Sequence, residues 1–292
     1  MGFAPTAMEH ELPAALLDSR FAQTVVALPS GAQVAVRMAG QGSTVVLLHG
    51  IGSGAPSWLD CALALSTQAR VVAWDAPGYG ISTPLESRAP AAADYADRLG
   101  ELLCALKIQS CVLVGHSLGA LTAVAFAQRS GSAVVRRLVL ISPARGYGAP
   151  DQADARQAVL ATRLQDLLRQ GIDGMAQQAP TRTLSAQANP AARAWVQWNA
   201  ARLNPDGYTQ AVRMLCGDDI ARYADVAMPV EVHCGDADTV TTPQACRAVA
   251  QRFGAPFELI AHAGHASPVE QPASVARLIA RATTKSFGDH QQ

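Results

Sequence analysis

Neither sign of charge is in excess in this chain: 23 Lys and Arg are matched by 23 Asp and Glu over 292 residues. The broad basic footprint of a nucleic-acid binder is therefore missing. Charged residues make up only 16% and hydrophobic ones 49%, which argues against disorder. Aromatics are scarce at 5%, and much of the apolar content is alanine, a helix former. The six cysteines (61, 104, 111, 216, 234 and 246) form no CxxC pair. They read as buried thiols of a reducing compartment, not a disulfide framework. No apolar run approaches the roughly 18 residues of a membrane span. The first residues lack a basic segment followed by a sustained apolar stretch, so no signal peptide is expected. Met1-Gly2-Phe3-Ala4-Pro5-Thr6 fits the loose myristoylation pattern, but so short a pattern is usually chance. A cytoplasmic protein is expected.

Compact apolar runs rich in Val, Leu and Ile are present instead. Thr44–Leu48, Val71–Trp74, Cys111–Val114, Leu138–Ile141, Val230–Cys234 and Pro256–Ile260 lack polar alternation, as strands buried on both faces do. Two earlier strands, Gln23–Leu28 and Gln33–Met38, flank a Pro29-Ser30-Gly31 turn. Helical patterns over Ser57–Gln68, Ala91–Leu106, Leu118–Gln128, Pro243–Phe253 and Pro268–Arg281 alternate with them, which implies a doubly wound α/β sheet. The interval from Pro143 to Pro229 is too long for one crossover. It reads as three helices, Asp151–Arg169, Pro190–Arg202 with Asn189 as N-cap, and Asp206–Leu215. The expected organisation is a core of residues 1–145 and 218–292 with a helical lid at 146–217.

Gly115-His116-Ser117-Leu118-Gly119 follows one strand directly and opens a helix. A serine in so tight a turn takes strained backbone angles, and small neighbours two residues away leave its hydroxyl exposed above the sheet. The Leu118 amide then points at the site from a helix N-terminus, suited to a developing oxyanion. The pentapeptide alone arises by chance in about one chain in ten of this composition, and its blander reading is a helix-capping serine. Asp236 and Asp238 follow the next-to-last strand, and His265 follows the last, so all stand at carboxyl ends of strands, where ligand sites form. The order Ser, Asp, His is that of an α/β-hydrolase triad. Asp238 is preferred over Asp236, which sits where a carboxylate more often bonds backbone amides. Among the other histidines, His262 falls at a strand end before the glycine, His116 should point away from Ser117, and His233 reads as a satisfied core or edge residue. His49-Gly50-Ile51-Gly52 supplies a second amide, Ile51 N–H, for an oxyanion hole with Leu118.

Two rival chemistries start from the same residues. Gly50-x-Gly52-x-x-Ala55 fits a dinucleotide fingerprint, with Asp75 as the ribose-binding acid. However, Pro56 and Ser57 start the helix after the glycines, and that reading leaves three strand ends without a role. His262-x-x-His265 with the two aspartates is a weak metal signal, without HEXXH or CxxC. No cofactor and no metal are expected.

Five ordered motifs resemble the α/β-hydrolase superfamily across about residues 23–285. They are His49-Gly50-Ile51-Gly52, Trp74-Asp75-Ala76-Pro77-Gly78-Tyr79-Gly80-Ile81-Ser82, Gly115-His116-Ser117-Leu118-Gly119, Gly235-Asp236-Ala237-Asp238 and His265-Ala266-Ser267-Pro268-Val269-Glu270-Gln271-Pro272. The resemblance implies an α/β-hydrolase fold, with a mostly parallel eight-stranded sheet, helices on both faces and an inserted helical lid. By it Ser117 is the nucleophile, His265 the general base and Asp238 its orienting acid. Dehalogenases and epoxide hydrolases are similar but carry Asp at the position of Ser117. Meta-cleavage-product C–C hydrolases usually have Trp where Ala266 stands, and Asn and Met around the serine. Enol-lactone hydrolases typically show Asn-Ser in place of His49-Gly50.

The expected activity is hydrolysis of a small carboxylic ester or lactone. Alternatives are a C–C hydrolase of dienoates, an acyltransferase and a non-catalytic ligand receptor. Gly50, Trp195, Trp198 and Met214 are candidate substrate contacts, although core packing is the blander role for such apolar lid residues. Arg193 and Arg202 read as solvated helix arginines. The expected partner is a small-molecule substrate, with neither nucleic acid nor membrane, and a homodimer is left open.

Overall fold

The computed structural model describes residues 17–287. The myristoylation-like hexapeptide and most of the N-terminal tail lie outside the described residues. Eight strands form one sheet: β1 Gln23–Ala27, β2 Gln33–Ala39, β3 Thr44–Leu48, β4 Arg70–Trp74, β5 Cys111–His116, β6 Val135–Ile141, β7 Val230–Gly235 and β8 Phe257–Ile260. Their order is β1-β2-β4-β3-β5-β6-β7-β8. β2 runs antiparallel to both β1 and β4, and from β4 to β8 the pairing is parallel.

The uninterrupted apolar runs reflect a sheet covered on both sides. Val46, Leu48, Cys111, Leu113, Leu138 and Leu140 point into one core. Their chain neighbours Val45, Leu47, Val112, Val114, Val139 and Ile141 point into the other. The two-residue period is intact, but both phases are buried. Helices α1 (Leu59–Leu65), α2 (Ala92–Ala105), α3 (Leu118–Val134), α7 (Pro243–Arg252), α8 (Ser267–Glu270) and α9 (Pro272–Phe287) belong to this sheet unit. α2 packs on α3 over the first face, and α1 packs on α9 over the second.

Between β6 and β7 come α4 (Ala153–Thr183), α5 (Pro190–Ala200) and α6 (Pro205–Gly217). Asn189 caps α5 as expected, its side chain accepting from Ala192 N at 2.8 Å. α4 is longer than the pattern predicts. The expected end at Arg169 is only a break at Gly171 (φ 63°, ψ −177°), after which helix resumes to Thr183 despite Pro180. Met175, Ala176 and Pro180 are buried there, so tertiary packing overrides the helix breakers.

The inserted helices are tied to the sheet unit by backbone contact. Gly78 has φ +82°, and a methyl added at Gly207, in the first turn of α6, would overlap the Gly78 carbonyl. Gln210 Nε2 donates to Leu85 O at 2.6 Å and Ser87 O at 2.7 Å, holding the same loop. Gly207→Ala is therefore expected to push α6 off this loop at a cost of about 1–3 kcal/mol. Thermal unfolding should show a midpoint several degrees below wild type, and an unchanged midpoint contradicts the contact.

Candidate active site

The turn from β5 into α3 is tightly packed. Ser117 takes φ +50°, a left-handed conformation rare for a residue with a side chain. A Cβ at Gly115 would lie 2.6 Å from Ala120 Cα, and one at Gly119 would lie 2.5 Å from Leu48 O. The helix thus starts directly against the end of β3, which explains why both positions are glycine. A Cβ at Gly50 would meet Ser117 Cβ at 3.1 Å, so the loop leaving β3 lies against the serine.

Ser117 and His265 line one cavity of about 570 Å³, which the inserted helices also line through Met175, Val196 and Tyr208. Behind the ring, His265 Nδ1 lies 2.9 Å from Asp238 Oδ2. The other carboxylate oxygen of Asp238 accepts from the amides of Val240 (2.8 Å) and Thr241 (3.0 Å). Burial pushes the Asp238 carboxyl up, but the hydrogen bond and charge of His265 outweigh it and hold the group at about 2. The Ser117 hydroxyl has no hydrogen-bond partner among the described residues. Serine and imidazole therefore line one cavity without a hydrogen bond between them.

Ile51 and Leu118 also line the cavity, and neither amide donates to an acceptor among the described residues. The orientation of the Gly50–Ile51 peptide has an identifiable cause. His49 Nε2 accepts from Ala76 N at 3.0 Å, which leaves its proton on Nδ1, 2.8 Å from Gly50 O. Burial keeps the His49 imidazolium disfavoured, so the ring stays neutral. Ser53 N also donates to Gly50 O, at 3.3 Å. With that carbonyl drawn to one side, the Ile51 N–H of the same planar peptide points to the other. The Tyr79 hydroxyl donates to Ile51 O at 2.9 Å and fixes the following peptide.

The remaining candidates fall elsewhere. Asp236 accepts from the amides of His262 and Ala263 at 3.0 and 3.1 Å, leaving His262 on an exposed turn. His116 donates its Nε2 proton to His265 O at 2.8 Å, turned away from the serine. Burial holds the His116 ring down at about 3, so it is neutral. Asp75 is buried and accepts from Ala55 N at 2.7 Å, so the acid of the dinucleotide reading is engaged within the fold. His233 is buried, but neither ring nitrogen has a hydrogen-bond partner among the described residues; Nε2 faces Glu231 Oε2 at 3.7 Å.

Of the candidate substrate contacts, Gly50 lines the cavity and the other three do not. Trp195 and Trp198 stack on each other at 4.6 Å, and Arg202 covers the Trp198 ring at 3.7 Å. Met214 is buried in the core between lid and sheet. Their apolar surface is used in packing. Arg202 is exposed, as expected, whereas Arg193 is half-buried and donates to the carbonyls of Ala188, Ser185 and Ala186.

Sequence reasoning missed two supporting residues. Thr241 Oγ1 lies 3.0 Å from Asp238 Oδ2 and 3.0 Å from Ser142 O, bracing the carboxylate against the end of β6. Its place three residues after Asp238 was the available signal. Buried Glu270 accepts from Gly264 N at 2.8 Å and from Ser185 N at 3.0 Å, and also takes a short bond from Ser185 Oγ. One carboxylate thus joins the end of the lid helix to the loop that carries His265.

Residues 45–278 match the model of the alpha/beta hydrolase family, and the chain belongs to that family. It is 27% identical over 214 residues to the (E)-2-((N-methylformamido)methylene)succinate hydrolase of Acinetobacter baylyi, covering 70% of this chain and 76% of that one. The chain spans about a third of the length of its mycobacterial relatives. An uncharacterised protein of Mycobacterium tuberculosis, for example, is 37% identical over 112 residues, or 38% of this chain and 32% of that one. The fold is that of the enol-lactonase from Burkholderia xenovorans (TM-score 0.79, 23% identity, 89% of this chain and 100% of that one). It is equally that of a thermophilic esterase from Thermogutta terrifontis (TM-score 0.79, 23% identity, 90% and 98%). Among the described residues no helix is long and apolar enough to cross a membrane.

Two expectations follow from the site. The Asp238 carboxyl falls from its ordinary 3.8 to about 2 on folding. A carboxylate with a depressed value stabilises the fold above the unfolded value and loses that contribution as pH drops through the folded one. Between about pH 5 and 2, wild type should therefore lose on the order of 2 kcal/mol more stability than Asp238→Asn in denaturant titrations. Parallel pH curves contradict the pairing. Glu270→Ala leaves two buried amides and a hydroxyl without their acceptor, a cost of about 1–3 kcal/mol per lost partner. Its unfolding midpoint should drop well below wild type, and a wild-type midpoint contradicts the tie.

Proposed function

We propose that this chain is a serine hydrolase that cleaves a small carboxylic ester or lactone through an acyl-enzyme intermediate. The observation that carries the reading is the buried Asp238–His265 pair at 2.9 Å, whose imidazole lines the same cavity as Ser117 on its strained turn. A serine hydroxyl needs a base to take its proton, and that base needs an orienting partner. Asp238 accepts the Nδ1 proton of His265 and leaves Nε2 free to receive a proton from Ser117 Oγ. Ser117 then adds to the scissile carbonyl, whose oxygen becomes negative beside the Ile51 and Leu118 amides. One such donor is typically worth about 10²–10³ in turnover. Collapse expels the alcohol, protonated by His265, and leaves an ester on Ser117. Water, deprotonated by the same ring, attacks that ester and releases the acid.

The esterase and enol-lactonase folds described above support this class of substrate, and so does the membership in a family of hydrolases. Ser117→Ala keeps the Cβ and the backbone strain while removing the nucleophile. The variant should retain the wild-type melting temperature and lose p-nitrophenyl butyrate turnover by about 10⁴-fold or more. Turnover equal to wild type contradicts the reading.

A further inference from the structure

The charges around the cavity are one-sided. Its lining includes Arg145, Arg163, Arg182 and Arg252 but no aspartate or glutamate among the described residues, in a chain whose basic and acidic residues balance at 23 each. The four arginines differ in what engages them. Arg145 lies 3.8 Å from the buried carboxylate of Asp219. Arg182 and Arg252 are exposed. Arg163, on α4, is half-buried, and its one hydrogen-bond partner among the described residues is neutral: Nη1 donates to the Tyr208 hydroxyl at 3.3 Å.

A guanidinium withdrawn from water without a counter-charge is costly, and its planar fork matches a carboxylate through two parallel hydrogen bonds. The cavity lining also includes the apolar Met175, Leu203 and Leu215 together with Tyr208, the residue that Arg163 contacts. An anion entering the cavity meets four arginines and no carboxylate among the described lining residues.

We propose that the substrate carries a free carboxylate and that Arg163 holds it, so that the hydrolysed bond belongs to a monoester or lactone of a dicarboxylic acid. The proposal rests on the serine-hydrolase reading for the bond that is cleaved, but not for the anion that is bound. Arg163 acts as a specificity residue, setting where the acyl chain lies while Ser117 and His265 do the chemistry. The exposed Arg182 and Arg252 draw anions to the same cavity.

The test compares mono-p-nitrophenyl esters of succinate, glutarate and adipate with neutral p-nitrophenyl esters of equal chain length. Wild type should favour at least one charged ester over its neutral counterpart by tenfold or more in kcat/KM. In Arg163→Gln that ratio should collapse toward one, chiefly through a higher KM, and Arg163→Lys should recover part of it. A ratio near or below one in wild type overturns the proposal, as does a ratio unchanged in Arg163→Gln. Calorimetric binding of glutarate, succinate and adipate is read independently of turnover. At least one should bind wild type, and that one at least tenfold more weakly to Arg163→Gln. If none binds wild type, the carboxylate site is wrong even when neutral esters are cleaved. If one binds in this way while no ester is cleaved, the carboxylate site stands and the serine-hydrolase reading fails.

Discussion

Everything at this site depends on how closely three pieces of backbone approach one another. β3 ends, α3 begins and the Gly50 loop turns back within a few ångströms of Ser117, and glycine occupies the contact points at 50, 115 and 119. The close fit forces Ser117 into its left-handed conformation and sets the Leu118 amide free at the start of a helix. Strain of this kind, on the order of 1–3 kcal/mol, persists only when the surroundings over-determine it. Here the surroundings are two fully buried parallel strands, which cannot relax without giving up the core on both faces of the sheet.

The remaining site groups are held by hydrogen bonds that reach across the fold. His49 carries information from the end of β4, through the Ala76 amide, to the peptide that orients Ile51 N–H. His116 anchors the His265 carbonyl, and Asp238 anchors the His265 ring. Glu270 binds the His265 loop and the lid with one carboxylate. The histidines beside Ser117 in the chain and in the Gly50 loop are thus kept neutral by burial and serve as rigid struts, while His265 is paired with the Asp238 carboxylate. The division follows from environment, since all three rings belong to the same residue type and lie close together.

The strands were legible because burial on both faces leaves an unbroken Val, Leu and Ile signature, and Ser117, Asp238 and His265 stood out because each follows such a run. The preference for Asp238 over Asp236 rested on turn chemistry, and Asp236 does spend its oxygens on backbone amides. Trp195, Trp198 and Met214 show where sequence reading stops. Apolar residues on a lid helix reveal that something is buried, not whether the neighbour is protein or ligand. The second half of α4 was hidden by Gly171 and Pro180, whose local preferences are overridden by packing. Glu270 and Arg163 were unreadable for a related reason. The partners of Glu270 include a residue 85 positions away, and the importance of Arg163 lies in having no acidic neighbour in the cavity, which only three-dimensional placement reveals.

The convergence of these groups on one reacting atom is tested most directly by a crystal structure of the protein treated with a small alkyl phosphonate ester. The account predicts phosphorus bonded to Ser117 Oγ, its non-bridging oxygen within hydrogen-bond distance of both the Ile51 and Leu118 amides, and His265 Nε2 beside the leaving-group position. A phosphonate bonded to another residue, or an oxygen facing away from both amides, contradicts it.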